Sequence, residues 1–165
     1  MVLTMPQQLA EQILARIPDT AGLYNRLLLV VAPSGAGKTP ALREVAENTG
    51  YPLINLNLEL SRLLLELTER QRCLQVPTLL DEIVQARAGE GVILDNIEIL
   101  FDVQLKQDPL RCLQRLSRNR TIIAAWNGTS AAGDGREPML TYAEPDHQEY
   151  RRYPAGDLLV VGPSA

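Results

Sequence analysis

Four stretches of the chain are apolar almost without interruption: 26–32 (RLLLVVA), 91–95 (GVILD), 121–126 (TIIAAW) and 157–161 (DLLVV). Runs of this length without alternation read as strands buried on both faces. Between them the apolar residues recur at helical spacing. Leu9, Ile13 and Ile17 predict a helix over 7–17, followed by a loop through Pro18, Asp19, Thr20 and Gly22. Leu42, Val45 and Ala46 predict a helix over 39–48, with Gly50 as its stop. Leu60, Leu63, Leu64 and Leu67 predict one over 59–72, and Pro77 then starts another that ends at Gly89. Asp108 and Pro109 read as the N-cap and first turn of a helix carrying Leu110, Leu113 and Leu116. Residues 51–58 alternate, with Ile54, Leu56 and Leu58 on one side and Asn55 and Asn57 on the other, which suits an edge strand. A short strand is expected over 139–143, after a loop over 128–138 with a turn at Asp134 and Gly135.

Buried strands alternating with amphipathic helices indicate an α/β protein. The expectation is a three-layer α/β/α sandwich on a mostly parallel, five-stranded sheet. A length of 165 residues, 45% of them hydrophobic, suits one domain with one core. Within it, residues 1–20 form an N-terminal helix and loop, and 128–156 a long loop region before the last strand. In parallel sheets of this kind ligands bind beyond the carboxyl ends of the strands. The residues to inspect are therefore Ser34 to Thr39, Asp95, Asn96 and Asn127.

Composition then narrows the classes. No apolar run approaches the ~20 residues of a membrane helix. The N-terminus lacks a basic start followed by an apolar stretch, so no secretory signal is expected. Cys73 and Cys112 are far apart and match no metal spacing, which favours a reducing, cytoplasmic setting. The net charge of −4 argues against a globally basic nucleic-acid binder while leaving room for a local basic face.

The first buried strand runs into Ala32-Pro33-Ser34-Gly35-Ala36-Gly37-Lys38-Thr39, a Walker A pattern with alanine at its first position. Gly35 and Gly37 allow the tight curl in which Ser34, Gly35, Ala36, Gly37 and Lys38 surround a phosphate chain. The N-terminal end of the following helix adds its dipole. Lys38 reaches the terminal phosphates, and the Thr39 hydroxyl is a hard oxygen ligand for Mg²⁺. Pro40 costs no hydrogen bond in a first helical turn. Asp95, ending the second strand, is the second candidate metal-site group, and its alternative is a cap on the next turn. Asn96 follows it, and an amide cannot accept a proton from water. Glu98 is the nearest carboxylate, either the base or a surface residue. Asn127, ending the third strand, either faces the terminal phosphate or begins the next loop.

Lysine occurs only at Lys38 and Lys106; the other cations are arginines. Arg111, Arg115 and Arg118 share one helix face, Arg120 follows, and Arg151 and Arg152 precede the last strand. Their alternatives are an arginine finger across a subunit boundary, a contact to DNA phosphates, or a solvated basic face. His147 is the single histidine and has no evident nucleophile partner, so triad chemistry is not supported.

With VVAPSGAGKT, GVILDNIEILF and TIIAAWNG in view, the chain resembles a minimal P-loop ATPase of the AAA+/ASCE division over residues 20–162. LDNIEILF, AAWNG and DHQEYRRY further resemble the BrxF family of BREX phage-defence systems. The resemblance implies ATP and Mg²⁺ as ligands and the third buried strand lying between the two motif strands. It also implies partnership with other BREX proteins and a role in restricting phage DNA; self-association and contact with duplex DNA are further expectations. The chain departs from the AAA+ pattern at Asn96, where a glutamate is usual, and in lacking a C-terminal helical lid. A small-molecule or nucleotide kinase, with 128–156 as a lid carrying Arg136, Arg151 and Arg152, is the first alternative. A non-catalytic nucleotide-binding DNA adaptor is the second.

Overall fold

The computed structural model describes residues 2–131 and 138–163. Strands β1 (Leu27–Ala32), β2 (Leu53–Asn55), β3 (Gly91–Asp95), β4 (Thr121–Ala131) and β7 (Leu159–Val161) form a parallel sheet in the order β2-β3-β4-β1-β7. Two further strands, β5 (Met139–Tyr142) and β6 (Arg151–Pro154), extend it as an antiparallel ribbon on β4. β4 lies between the two motif strands, as the family resemblance implies.

Every residue of β1 is buried, and their alternation separates the two halves of the core. Leu28 and Val30 join Ile93, Ile123 and Val161 beneath α1 (Met5–Arg16) and α2 (Lys38–Thr49). Leu27, Leu29 and Val31 join Val92, Leu94 and Trp126 beneath α3 (Leu56–Leu64), α4 (Glu69–Gln85) and α5 (Pro109–Leu116). A period of two on strands apolar on both sides gives the three layers directly.

Three local expectations are corrected. The alternation over 51–58 ends early, because the Asn55 side chain accepts from the Leu58 N–H and caps α3. Leu56, Leu60 and Leu64 are buried at helical spacing, whereas Leu58 is exposed. Pro77 does not start a helix but sits inside α4, which begins at the Thr68/Gln71 capping box. A proline there leaves the carbonyl four residues earlier without its N–H. That carbonyl, on Cys73, instead accepts from the Gln107 side-chain amide at 2.9 Å. The third correction concerns 128–156: among its described residues, 128–131, 139–142 and 151–154 are strand rather than loop. β4 continues to Ala131 and pairs with β5, Gly128 opposite Tyr142 and Ala131 opposite Met139. The close approach needs Gly128, since a Cβ there would lie 1.8 Å from the Thr141 carbonyl oxygen. The Trp126 indole N–H donates to that same oxygen at 3.0 Å. Phe101 stacks on Tyr142 and meets Trp126 edge-on, tying the ribbon to the core. The turn expected at Asp134 and Gly135 lies outside the described residues. Among the described residues no separate helical domain follows the sheet.

Candidate nucleotide site

The loop between β1 and α2 curls through two left-handed glycines, Gly35 at φ 81° and Gly37 at φ 93°. Such angles are nearly free for glycine and strained for other residues. The Ala36 N–H closes the curl on the Pro33 carbonyl at 3.2 Å. Gly37 is the N-cap of α2, so the positive end of a twelve-residue helix faces the turn. From the outer side Pro6 covers the loop: a Cβ on Gly37 would lie 3.0 Å from its ring. Thr4 and Gln7 form a capping box that fixes this end of α1.

Lys38 is 7% exposed and folds back over the loop. Its ammonium donates to the Ala32 and Pro33 carbonyls at 2.7 and 2.8 Å. Burial pushes it below the ordinary lysine value of 10.5, while the carboxylates of Glu98 and Asp95 pull the other way. The Thr39 hydroxyl donates to Asp95 Oδ2 at 2.7 Å, and the other oxygen of Asp95 accepts from the Asn96 N–H at 2.9 Å. The two expected metal-site groups therefore touch, across the ends of neighbouring elements. The alternative for Asp95, a cap on the next turn, is also realised in part through the Asn96 N–H.

Asn96 adopts φ 54°, a left-handed conformation that asparagine tolerates better than most side chains. Its carbonyl accepts from the Asn57 N–H, which holds the start of α3 against the end of β3. A one-turn 3₁₀ helix, Glu98–Phe101, then buries Leu100 and Phe101. That packing returns Glu98 to the site, where its Oε1 accepts from the Asn127 amide at 2.6 Å. Glu98 and Asn127 are thus a pair facing the loop. Lys38, Thr39, Asp95, Glu98 and Asn127 surround one hollow of about 290 Å³ beside Ser34, Gly35 and Pro40.

The six expected arginines are elsewhere. None lines this hollow. Arg111 pairs loosely with Asp108 and Arg115 with Asp81, both at 3.8 Å, and Arg118 lies over the Tyr24 ring. These three line a groove of about 520 Å³ with Asn25 and Pro77. Arg120 is not free for a finger or a DNA contact. It donates to the Val84 and Arg87 carbonyls, and its remaining guanidinium nitrogens are buried. Arg151 donates to the Gln107 carbonyl, leaving Arg152 exposed on β6. Arg136 lies outside the described residues.

Sequence reasoning missed two contributors. Pro6 reaches the loop only because α1 packs along α2, and nothing in its own neighbourhood signals that. Tyr142 and the segment 143–150 line a separate space next to the hollow, and none of their residues lines the hollow itself; the acidic and aromatic run EPDHQEY was the signal available.

The fold and the site together define an α/β protein with a glycine-rich loop, leading into a helix N-terminus, at the carboxyl end of a parallel sheet. No family model matches the chain. No curated protein matches it either. The solved structure of C. elegans PCH-2 is similar at a TM-score of 0.43 and 16% identity, over 79% of this chain. The chain spans 39% of the length of that one. Among the described residues no helix is long and apolar enough to cross a membrane, and no group of three His, Cys, Asp or Glu side chains is placed to hold a metal.

Proposed function

We propose that this chain binds ATP with Mg²⁺ in the hollow and hydrolyses it slowly, in the manner of a small AAA+/ASCE ATPase. The observation that carries the reading is the convergence of Lys38, the Thr39–Asp95 pair and the Glu98–Asn127 pair around the glycine curl. In this reading the main-chain N–H groups of the loop and the end of α2 hold the phosphates. Lys38 leaves the Ala32 and Pro33 carbonyls and neutralises the terminal phosphate. Thr39 and Asp95 would hold Mg²⁺, an ion that prefers few protein ligands and several oxygens from water and phosphate. When bound, Mg²⁺ supplies charge neutralisation on the phosphates.

Glu98 takes the role that Asn96 cannot. Its carboxylate accepts a proton from water as the water oxygen bonds to the terminal phosphorus and the bond to the ADP oxygen breaks. Asn127 orients that carboxylate by the hydrogen bond at 2.6 Å. The wider setting we propose is a cytoplasmic, self-associating component of a BREX-type defence complex, with duplex DNA contacted by the groove of Arg111, Arg115 and Arg118. A nucleotide kinase is less well supported: Arg151 is engaged with Gln107, and the cavity next to the hollow is lined by carboxylates.

The deciding experiment is equilibrium binding of ATP with and without Mg²⁺. Lys38→Ala is expected to lose the Mg²⁺-dependent binding; unchanged binding in that variant would refute the reading.

A further inference from the structure

A second cavity, larger than the phosphate hollow, opens beside it: about 780 Å³ against about 290 Å³. One wall is the part of β4 that runs past the sheet, with Thr129, together with Thr141 and Tyr142 of β5. The other wall is the segment from Ala143, which leaves β5 at φ 61°, to Tyr150. Hydrogen bonds fold that segment on itself: His147 N–H to the Glu144 carbonyl at 2.9 Å, Tyr150 N–H to the His147 carbonyl and Glu149 N–H to His147 Nδ1, both at 3.0 Å. Ser34, Glu98 and Asn127 line both spaces, so the cavity ends where the terminal phosphate would lie.

Two features of the lining decide what such a space can hold. Tyr142, Tyr150, Pro33 and Pro145 give it a substantially apolar wall. Around that wall stand four carboxylates, Glu98, Glu144, Asp146 and Glu149, with His147 and, among the described residues, no lysine or arginine. The Tyr142 hydroxyl is held well above its ordinary value of 10.0 by burial and by facing Glu98 and Glu149, so it remains a donor. A phosphate-bearing second substrate would meet four like charges. A cation with an apolar body would meet the tyrosine and proline lining for the body and carboxylates for the charge. A half-enclosed space of this volume has the size of a small-molecule site.

We infer that this cavity binds a small organic cation, an amine or amidine on an apolar body, immediately beyond the terminal phosphate position. The inference goes beyond the nucleotide reading, since Glu144 and Glu149 line this cavity and not the phosphate hollow.

The test uses the full chain without nucleotide, titrated with phenethylamine and with phenethyl alcohol as its neutral counterpart, followed by ligand-observed NMR and calorimetry. The amine is expected to bind about tenfold more tightly than the alcohol, the worth of one charge contact. The double variant Glu144→Gln, Glu149→Gln is expected to lose that preference while its affinity for ATP stays unchanged. Equal binding of amine and alcohol, no binding of either, or an intact preference in the double variant would overturn the inference. Since the titration contains no nucleotide, its failure would leave the ATP reading untouched, and loss of ATP binding in Lys38→Ala bears only on the latter.

Discussion

Lys38 is the residue on which the site's pH behaviour turns. Its ammonium is buried against two carbonyls and lies below the ordinary 10.5. A bound triphosphate adds negative charge beside it and favours the protonated form. ATP affinity is therefore expected to fall as pH rises, starting below 10.5, with proton uptake on binding. Calorimetry in two buffers of different ionisation enthalpy measures that uptake. The free protein should behave oppositely. Between the depressed folded value and 10.5 the unfolded chain holds more protons, so stability rises with pH across that window. Asn96 and Glu98 make a second pair of outcomes. Glu98→Gln is expected to lower turnover by about 10²–10⁴ while leaving ATP binding in place, the usual span for losing a general base. Asn96→Glu is expected not to raise turnover, and to cost about 1–2 kcal/mol in a denaturant titration, because φ 54° suits asparagine and strains glutamate. The glycine curl, Lys38 and Thr39 were legible from sequence because each depends on its own neighbours in the chain. The Glu98–Asn127 bond was not, since it depends on a 3₁₀ turn placing residues 29 positions apart in contact.

Elements show where the hydrophobic pattern suffices and where it misleads. β1, β3 and the first half of β4 are buried on both faces, so apolar runs announced them. The β5–β6 ribbon is half exposed and alternates over only four residues per strand; its stability comes from Phe101 and Trp126, which lie outside it. Pro77 misled for a different reason. Proline normally stops a helix, but the Gln107 amide supplies the donor that the ring removes. Gln107→Ala should leave the Cys73 carbonyl without that partner and cost about 1–2 kcal/mol in unfolding free energy. In a Pro77→Ala background the helix regains its own N–H, so the cost of Gln107→Ala should shrink. A double-mutant cycle by chemical denaturation reads the difference.

For the whole molecule, the distribution of arginines sets the expectations. Arg111, Arg115 and Arg118 lie in a groove remote from the hollow, and Arg120 is built into the interior. A site completed by a neighbour's arginine would need two chains to meet. ATP turnover per chain is then expected to rise with protein concentration, faster than a monomer allows, and to be measured with and without duplex DNA. Turnover per chain that stays constant over a wide concentration range would exclude that arrangement. The three-layer architecture was legible in the sequence because burial on both strand faces leaves little alternative. The site's second cavity was not, because its walls come from β4, β5 and a folded-back segment that meet only after the ribbon forms.

β4 runs unbroken from Thr121 in the middle of the sheet, through Asn127, to Ala131 at the root of the ribbon. The amide of Asn127 sits partway along it, where its pairing passes from the parallel sheet to the ribbon. A partner seated on the ribbon would therefore contact the same strand whose Asn127 holds the Glu98 carboxylate, only a few residues away along the backbone.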